Sequence, residues 1–303
     1  MRWDDFRRSD NIEDRRDDEP SGGGFGMPGR AGGLGIGTIV VLGLIGWALG
    51  IDPRLLIGGA EVLTGGDQTT QAPQQRPREG GAGNDETGQF VAAVLGDTED
   101  RWTEILRAGG VTYRAPRLVM FSGVTRSGCG AAQSAMGPFY CPNDQQIYLD
   151  TSFFDEIETR FGGCKVGSQS CRFAQAYVIT HEVGHHVQNL LGILPKAQQM
   201  QREMDKVEAN HLQVRIELQA DCFAGVWANR SEQKFKFLDE GDIEAALQTA
   251  SAIGDDRLQK QAQGYVVPDA FTHGSSEQRK RWFTAGLKSG SPGGCNTFEA
   301  AQL

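Results

Sequence analysis

Residues 180–188 read THEVGHHVQ. On an α-helix, positions four apart lie about 40° apart around the axis and one turn along it. His181 and His185 therefore present their imidazoles to one point. Glu182, about 100° round from His181, can reach a water held at that point without being a ligand. The preceding Phe173, Ala174, Ala176, Tyr177, Val178 and Ile179 supply the buried flank of such a helix. The pattern is H-E-x-x-H, two metal ligands and a base within little more than one turn. Only five histidines occur in the 303 residues, so chance rarely assembles it.

Such a site needs a third ligand. Position 191 is Leu191 and position 188 is Gln188, so the continuation that supplies a third histidine is absent. Further on comes ELQADC over 217–222, which places Glu217 and Asp221 one turn apart on one helix face. One can bind the metal while the other hydrogen-bonds a ligating imidazole and fixes its tautomer. Glu217 is the expected ligand and Asp221 the partner of the imidazole; the reverse assignment stays open. Two imidazoles and a carboxylate with an open position for water call for one zinc ion (Zn2+) per chain.

Working outward, residues 272–279 read THGSSEQR. His273 falls at a Gly-Ser turn that starts a helix, with Ser275 or Ser276 as cap. It is the candidate donor to negative charge that develops beside the metal, and Arg279 is the second charged residue of the element. His186 is expected outside the ligand set. His211, among Glu208, Asn210 and Gln213, reads as an exposed helical histidine.

Periodicity predicts helices over 89–108, 172–190, 197–229, 241–252 and 276–287. It predicts a strand over 118–121 and two short strands within 137–150, around Pro142-Asn143-Asp144. A few strands followed by helices make the fold class α+β, a small sheet with a mostly helical remainder. Either 147–149 or 118–120 is the candidate edge for an extended peptide.

Of the 41 glycines, 20 lie in residues 1–88, so the folded mass is expected from 89 to 303. Residues 1–30 read as a charged, Gly-rich, disordered tail and 52–88 as a flexible linker. Between them, AGGLGIGTIVVLGLIGWALGI over 31–51 carries no charge. At about 1.5 Å per residue it spans a hydrocarbon core of about 30 Å, and it lacks the polar stripe of a soluble helix. A single transmembrane helix in contact with membrane lipid is expected. A cleaved signal peptide is the rival reading, disfavoured by the long acidic leader. Arg2, Arg7, Arg8, Arg15, Arg16 and Arg30 precede the run, and only Arg54 and Arg76 follow closely. That bias puts the N-terminus in the cytoplasm and the large domain outside the inner membrane, periplasmic or extracellular.

The six cysteines all lie in the part so placed, where disulfides persist. Two short loops suggest local bridges, Cys129 with Cys141 and Cys164 with Cys171, leaving Cys222 with Cys295. The formal net charge of −9 argues against a general nucleic-acid binder.

THEVGHHVQ, ELQADCFAGVW, FTHGSSEQR, CNTF, CGAAQSAMGPFYCP and the leader MRWDDFRRSDNIEDRR together resemble the neutral zinc metallopeptidase family of bacteria (YpfJ-like, gluzincin-type). The resemblance covers nearly the whole chain except the linker. It implies a membrane-anchored, zincin-like peptidase with His181, His185 and Glu217 as zinc ligands, Glu182 as catalytic base and a peptide or protein substrate. The E-x-x-A-D element also resembles HtpX-type membrane peptidases, which have a late His…Arg element similar to His273 and Arg279. Two alternatives share the site: a catalytically silent scaffold that uses zinc for stability, and an amide hydrolase of non-peptide substrates.

Overall fold

The computed structural model describes residues 1–18, 83, 85–159, 164 and 170–303. The chain divides into two units, Met1–Pro20 with Arg78–Leu303, and Ser21–Pro77. The second unit, with the 31–51 run and most of the 52–88 linker, lies outside the described residues.

Strands β1 (Ile12–Arg15), β2 (Arg117–Phe121), β5 (Phe139–Cys141) and β6 (Gln146–Asp150) form one sheet in the order β1-β2-β6-β5. The first three are parallel, and β5 runs antiparallel to β6. Strands β3 (Val124–Ser127) and β4 (Gly130–Gln133) make a separate hairpin. Both faces of β2 and β6 are covered. Leu118, Met120, Ile147 and Leu149 enter the main core, while Val119, Phe121 and Tyr148 pack with Ala132 of the hairpin and Cys141. Burial on both faces explains why 118–121 is a continuous apolar run. The disulfide Cys129–Cys141 fastens the hairpin to β5. The two candidate peptide edges are interior strands, so that expectation is corrected: among the described strands, the edges of this sheet are β1 and β5.

The helices are α1 (Glu86–Ala108), α2 (Ser152–Thr159), α3 (Ser170–Leu190), α4 (Ile193–Gln201), α5 (Lys206–Phe235), α6 (Asp242–Ala252), α7 (Asp255–Gln263) and α8 (Ser276–Ser289). The helix expected over 197–229 is two helices, α4 and α5. Helix α5 starts where the Asp205 carboxylate accepts from Val207 N and Glu208 N, 2.9 Å each. Residues 216–228 of α5 are buried all round, as in a core helix packed on every side. Aromatic contacts join it to its neighbours, with Trp102 of α1 edge-on to Phe223 at 5.3 Å. Helix α8 crosses α5 at a contact only glycine permits. A Cβ on Gly286 would overlap Cys222 O, and one on Gly225 would overlap Phe283 O.

The α+β class holds, a small sheet with a mostly helical remainder. The transmembrane helix attached to it is corrected. Among the described residues no helix is long and apolar enough to cross a membrane, and the 31–51 run lies outside them. The leader expected as a cytoplasmic tail packs on the domain. Ile12–Arg15 pairs in register with Leu118–Phe121. Phe6 lies on Phe235 and Phe237, and Arg7, Ser9 and Asn11 converge on the Glu99 carboxylate of α1. One crossing between residues 15 and 86 would put strands that hydrogen-bond to each other on opposite sides of a bilayer. The single-pass placement, with its cytoplasmic N-terminus, external domain and lipid contact, is therefore withdrawn.

Gly286→Ala is expected to lower stability by at least about 1–3 kcal/mol, because the added methyl meets main chain that cannot rotate away. Urea unfolding followed by circular dichroism measures it. An unchanged midpoint would mean the α5–α8 contact is looser than described.

Candidate metal centre

Helix α3 carries His181, Glu182 and His185, and α5 carries Glu217 and Asp221. The two helices pack closely because the motif holds a glycine. A Cβ on Gly184 would stand 3.0 Å from Ala220 O and 3.1 Å from Ala220 Cα. This approach brings His181, His185 and Glu217 together, each offering one ligand atom, all within 4.8 Å of one another. Glu217 Oε2 is 3.2 Å from His181 Nε2 and 3.5 Å from His185 Nε2. Donor atoms at about 2.0–2.1 Å from a tetrahedral ion stand about 3.3–3.4 Å apart, so the spacing fits zinc.

The other ring nitrogens agree with that fit. His181 Nδ1 donates to Asp221 Oδ1 at 2.8 Å and His185 Nδ1 to Gln188 Oε1 at 2.8 Å. With Nδ1 protonated and engaged on both rings, Nε2 is the nitrogen that each ring turns to the metal position. All five site residues, His181, Glu182, His185, Glu217 and Asp221, are largely shielded from solvent.

Asp221 accepts from more than His181. Arg279 holds it side-on, Nε to Oδ2 and Nη2 to Oδ1 at 2.9 Å each. The Tyr177 hydroxyl donates to Oδ1 at 2.5 Å and accepts from Arg279 Nη2 at 3.0 Å. Burial pushes the Asp221 carboxyl up, but Arg279 and His181 outweigh it and bring it down to about 2. Burial acts against the charged form of His181, yet Asp221 and Glu217 lift it to about 10. Metal binding there displaces a proton. Glu217 is pushed up by burial and held well below the carboxylate range by His185 and His181, with His273 adding to the effect. Glu182 is raised, chiefly by burial and against the pull of the two histidines; its carboxylate accepts from the Tyr140 N–H of β5.

His273 lies beyond this cage on the loop before α8. Gly274 sits over Val214 and Leu218, the residues flanking Glu217 along α5. The His273 side chain is 51% exposed, with Nδ1 3.3 Å from Asp255 Oδ1 and 3.0 Å from Thr272 Oγ1. Asp255 Oδ2 gathers the N–H groups of Thr272, His273 and Gly274 at 2.7, 2.6 and 3.0 Å. Arg279 points the other way, into Asp221. His186 stands outside the ligand set: Nε2–H donates to Arg114 O at 2.6 Å and Nδ1 accepts from the Tyr140 hydroxyl at 3.1 Å. Burial holds it neutral, down to about 4. His211 is exposed beside Asp269. The cysteines are bridged as Cys129–Cys141, Cys164–Cys171 and Cys222–Cys295.

Sequence reasoning missed Tyr177, Gln188, Gln219 and Tyr140. Tyr177 and Gln188 were within reach of it, being one turn before His181 and one turn after His185 on the same helix. Gln219 and Tyr140 carry no such local signal.

A family model described as "Putative neutral zinc metallopeptidase" matches residues 1–298. "Uncharacterized protein YpfJ" of Escherichia coli K12 is 48% identical over 302 residues, covering 98% of this chain and 99% of that protein. "Uncharacterized protein Rv2575" of Mycobacterium tuberculosis H37Rv is 44% identical over 226 residues, 72% of this chain and 70% of that protein. No solved structure matches at a significant level.

Asp221→Ala leaves the Arg279 guanidinium buried without its carboxylate. It is expected to cost about 3–5 kcal/mol, read as a lower urea midpoint of the metal-free chain. A loss under 1 kcal/mol would show that water reaches Arg279 and that the ion pair is not the anchor described.

Proposed function

The chain belongs to the neutral zinc metallopeptidase family, and from that premise we propose that it hydrolyses peptide bonds at the His181–His185–Glu217 centre, with Glu182 as general base. The observation that carries the reading is the buried Glu182 carboxylate beside all three ligands, raised above its ordinary range. A site serving stability alone needs ligands and has no use for a base in that position.

His181, His185 and Glu217 would hold one zinc ion, which would supply Lewis acidity to the attacking water and the scissile carbonyl. Glu182 accepts the proton of the attacking water and passes it to the leaving amine. Its raised pKa suits a group that must take a proton and return it. The Tyr140 N–H keeps the carboxylate oriented between those events. Asp221 and Gln188 fix the tautomers of the ligating imidazoles.

His273 is the donor to the developing oxyanion. Burial works against its charged form, but Asp255 and Glu217 raise its pKa; as the imidazolium it gives Nδ1–H to Asp255 and keeps Nε2–H to donate. The substrate lies extended along the edge strand β5, whose Tyr140 adjoins Glu182, and not along 118–120 or 147–149.

Glu182→Gln is expected to keep one zinc per chain and to lower hydrolysis of an unfolded protein substrate by about 10²–10⁴-fold. Metal analysis and a fluorogenic casein assay measure the two. Loss of zinc together with activity would make Glu182 a structural residue. Undiminished hydrolysis would remove it as the base. His273→Ala is expected to lower kcat by about 10²–10³-fold with little change in KM; an unchanged kcat would leave the oxyanion without this donor.

A further inference from the structure

The two ligating histidines are held by different chemistry. His181 leans on a carboxylate, Asp221, and His185 on an amide, Gln188. The amide does not stand alone. Gln188 Nε2 donates to Ile216 O at 2.8 Å and to Gln219 Oε1 at 3.0 Å. Gln219 Nε2 donates in turn to Cys295 O at 3.0 Å. Cys295 is bridged to Cys222 of α5. Gln188, Gln219, Cys222 and Cys295 are all buried.

The polarity of this chain is fixed by its ends. A backbone carbonyl only accepts, so Cys295 O demands the amide nitrogen of Gln219. Gln219 must then turn Oε1 towards Gln188, which must turn Nε2 towards Gln219 and Ile216 O. That leaves Gln188 Oε1 facing His185, and an acceptor there requires the proton on Nδ1. The Nε2 lone pair is thereby committed to the metal side. Two amides that would otherwise flip are set by two main-chain oxygens.

We propose that Gln188 and Gln219 are positioning residues that make the Cys222–Cys295 bridge part of the zinc site, by carrying the placement of the Cys295 carbonyl to the Nδ1 of His185. The bridge closes a loop with a sequence separation of 73, and it holds Cys295 one turn along α5 from Gln219. The C-terminal segment has further ties, with Thr297 Oγ1 donating to Arg215 O at 2.6 Å and Thr297 N to Cys295 O at 2.9 Å. The covalent link is thus one of several restraints on that carbonyl, and Gln219 is the connection that leads from it to the metal ligand.

This inference rests on the zinc reading of the preceding subsection but not on hydrolysis. The test uses the full chain, zinc alone as the probe and chelator competition as the readout. Removing a residue that hydrogen-bonds a metal-ligating histidine lowers affinity by about 10–100-fold, and that loss is expected for Gln188→Leu. Gln219→Leu, with the bridge intact, is expected to weaken zinc about tenfold. Cys222→Ala with Cys295→Ala should weaken it in the same direction, and the three changes together should fall short of the product of their separate effects. With cobalt(II) in place of zinc, the ligand-field bands should shift in both glutamine variants, as general loosening of the fold elsewhere would not make them do. An unchanged zinc affinity in Gln219→Leu, unchanged cobalt bands, or fully multiplicative effects of bridge and glutamine would overturn the proposal. A wild-type chain that binds no zinc would overturn the metal reading itself.

Discussion

A single buried carboxylate, Asp221, ties together the three helices that make the centre. Tyr177 and His181 approach it from α3, Arg279 from α8, and α5 carries it. A charge so placed loses its hydration, and only a full set of donors offsets that cost. Here the set is complete: one guanidinium side-on, one hydroxyl and one imidazole. No donor can be withdrawn without exposing the others, so the packing of the three helices and the orientation of His181 are one problem with one solution.

Close helix contacts make that solution reachable. Gly184 lets α3 approach Ala220 on α5, and Gly225 with Gly286 lets α8 approach α5. Side chains at these positions would hold the helices apart by a methyl diameter or more, and ligand atoms 3.2–3.5 Å apart would no longer share an ion. The sheet contributes at its edge. β5 is antiparallel to an otherwise parallel sheet, and Tyr140 serves both sides of it. Its phenol is held by His186 and Asn189 on α3, while its N–H meets Glu182.

The leader is a second lesson in how charge disguises structure. MRWDDFRRSDNIEDRR has the composition of a solvated tail, but several of its arginines are paired, within the leader and with the domain. Arg7 meets Glu99 and Asp100, Arg15 pairs with Glu13, and Arg16 lies between Asp14 and Asp85. The apolar residues Phe6 and Ile12, too few to show a period, are buried. The uncharged 31–51 run suggests the crossing and the arginines before it the orientation; of those arginines, Arg7, Arg15 and Arg16 are committed to these contacts, and the pairing of β1 with β2 excludes a single crossing between them.

Much of the centre was legible from residue order. H-E-x-x-H places two candidate ligands and a candidate base by helix geometry alone, and E-x-x-x-D places a candidate ligand and its neighbour one turn apart. Both relations are local, set by the 3.6-residue turn. The long helices and the strands of 117–121 and 139–150 were legible for the same reason. What residue order could not decide was anything that depends on which surfaces meet. β1, the β3–β4 hairpin, α2 and α7 are short or polar, and they exist because of what they pack against. Arg279 could have been a surface ion pair or a donor to substrate until Asp221 was found opposite it. Gln188 and Gln219, 31 positions apart, become one hydrogen-bonded chain only when α3 lies on α5. Local spacing fixes the chemistry a helix can present; the close contact of two helices, possible only where side chains are small, decides what that chemistry faces.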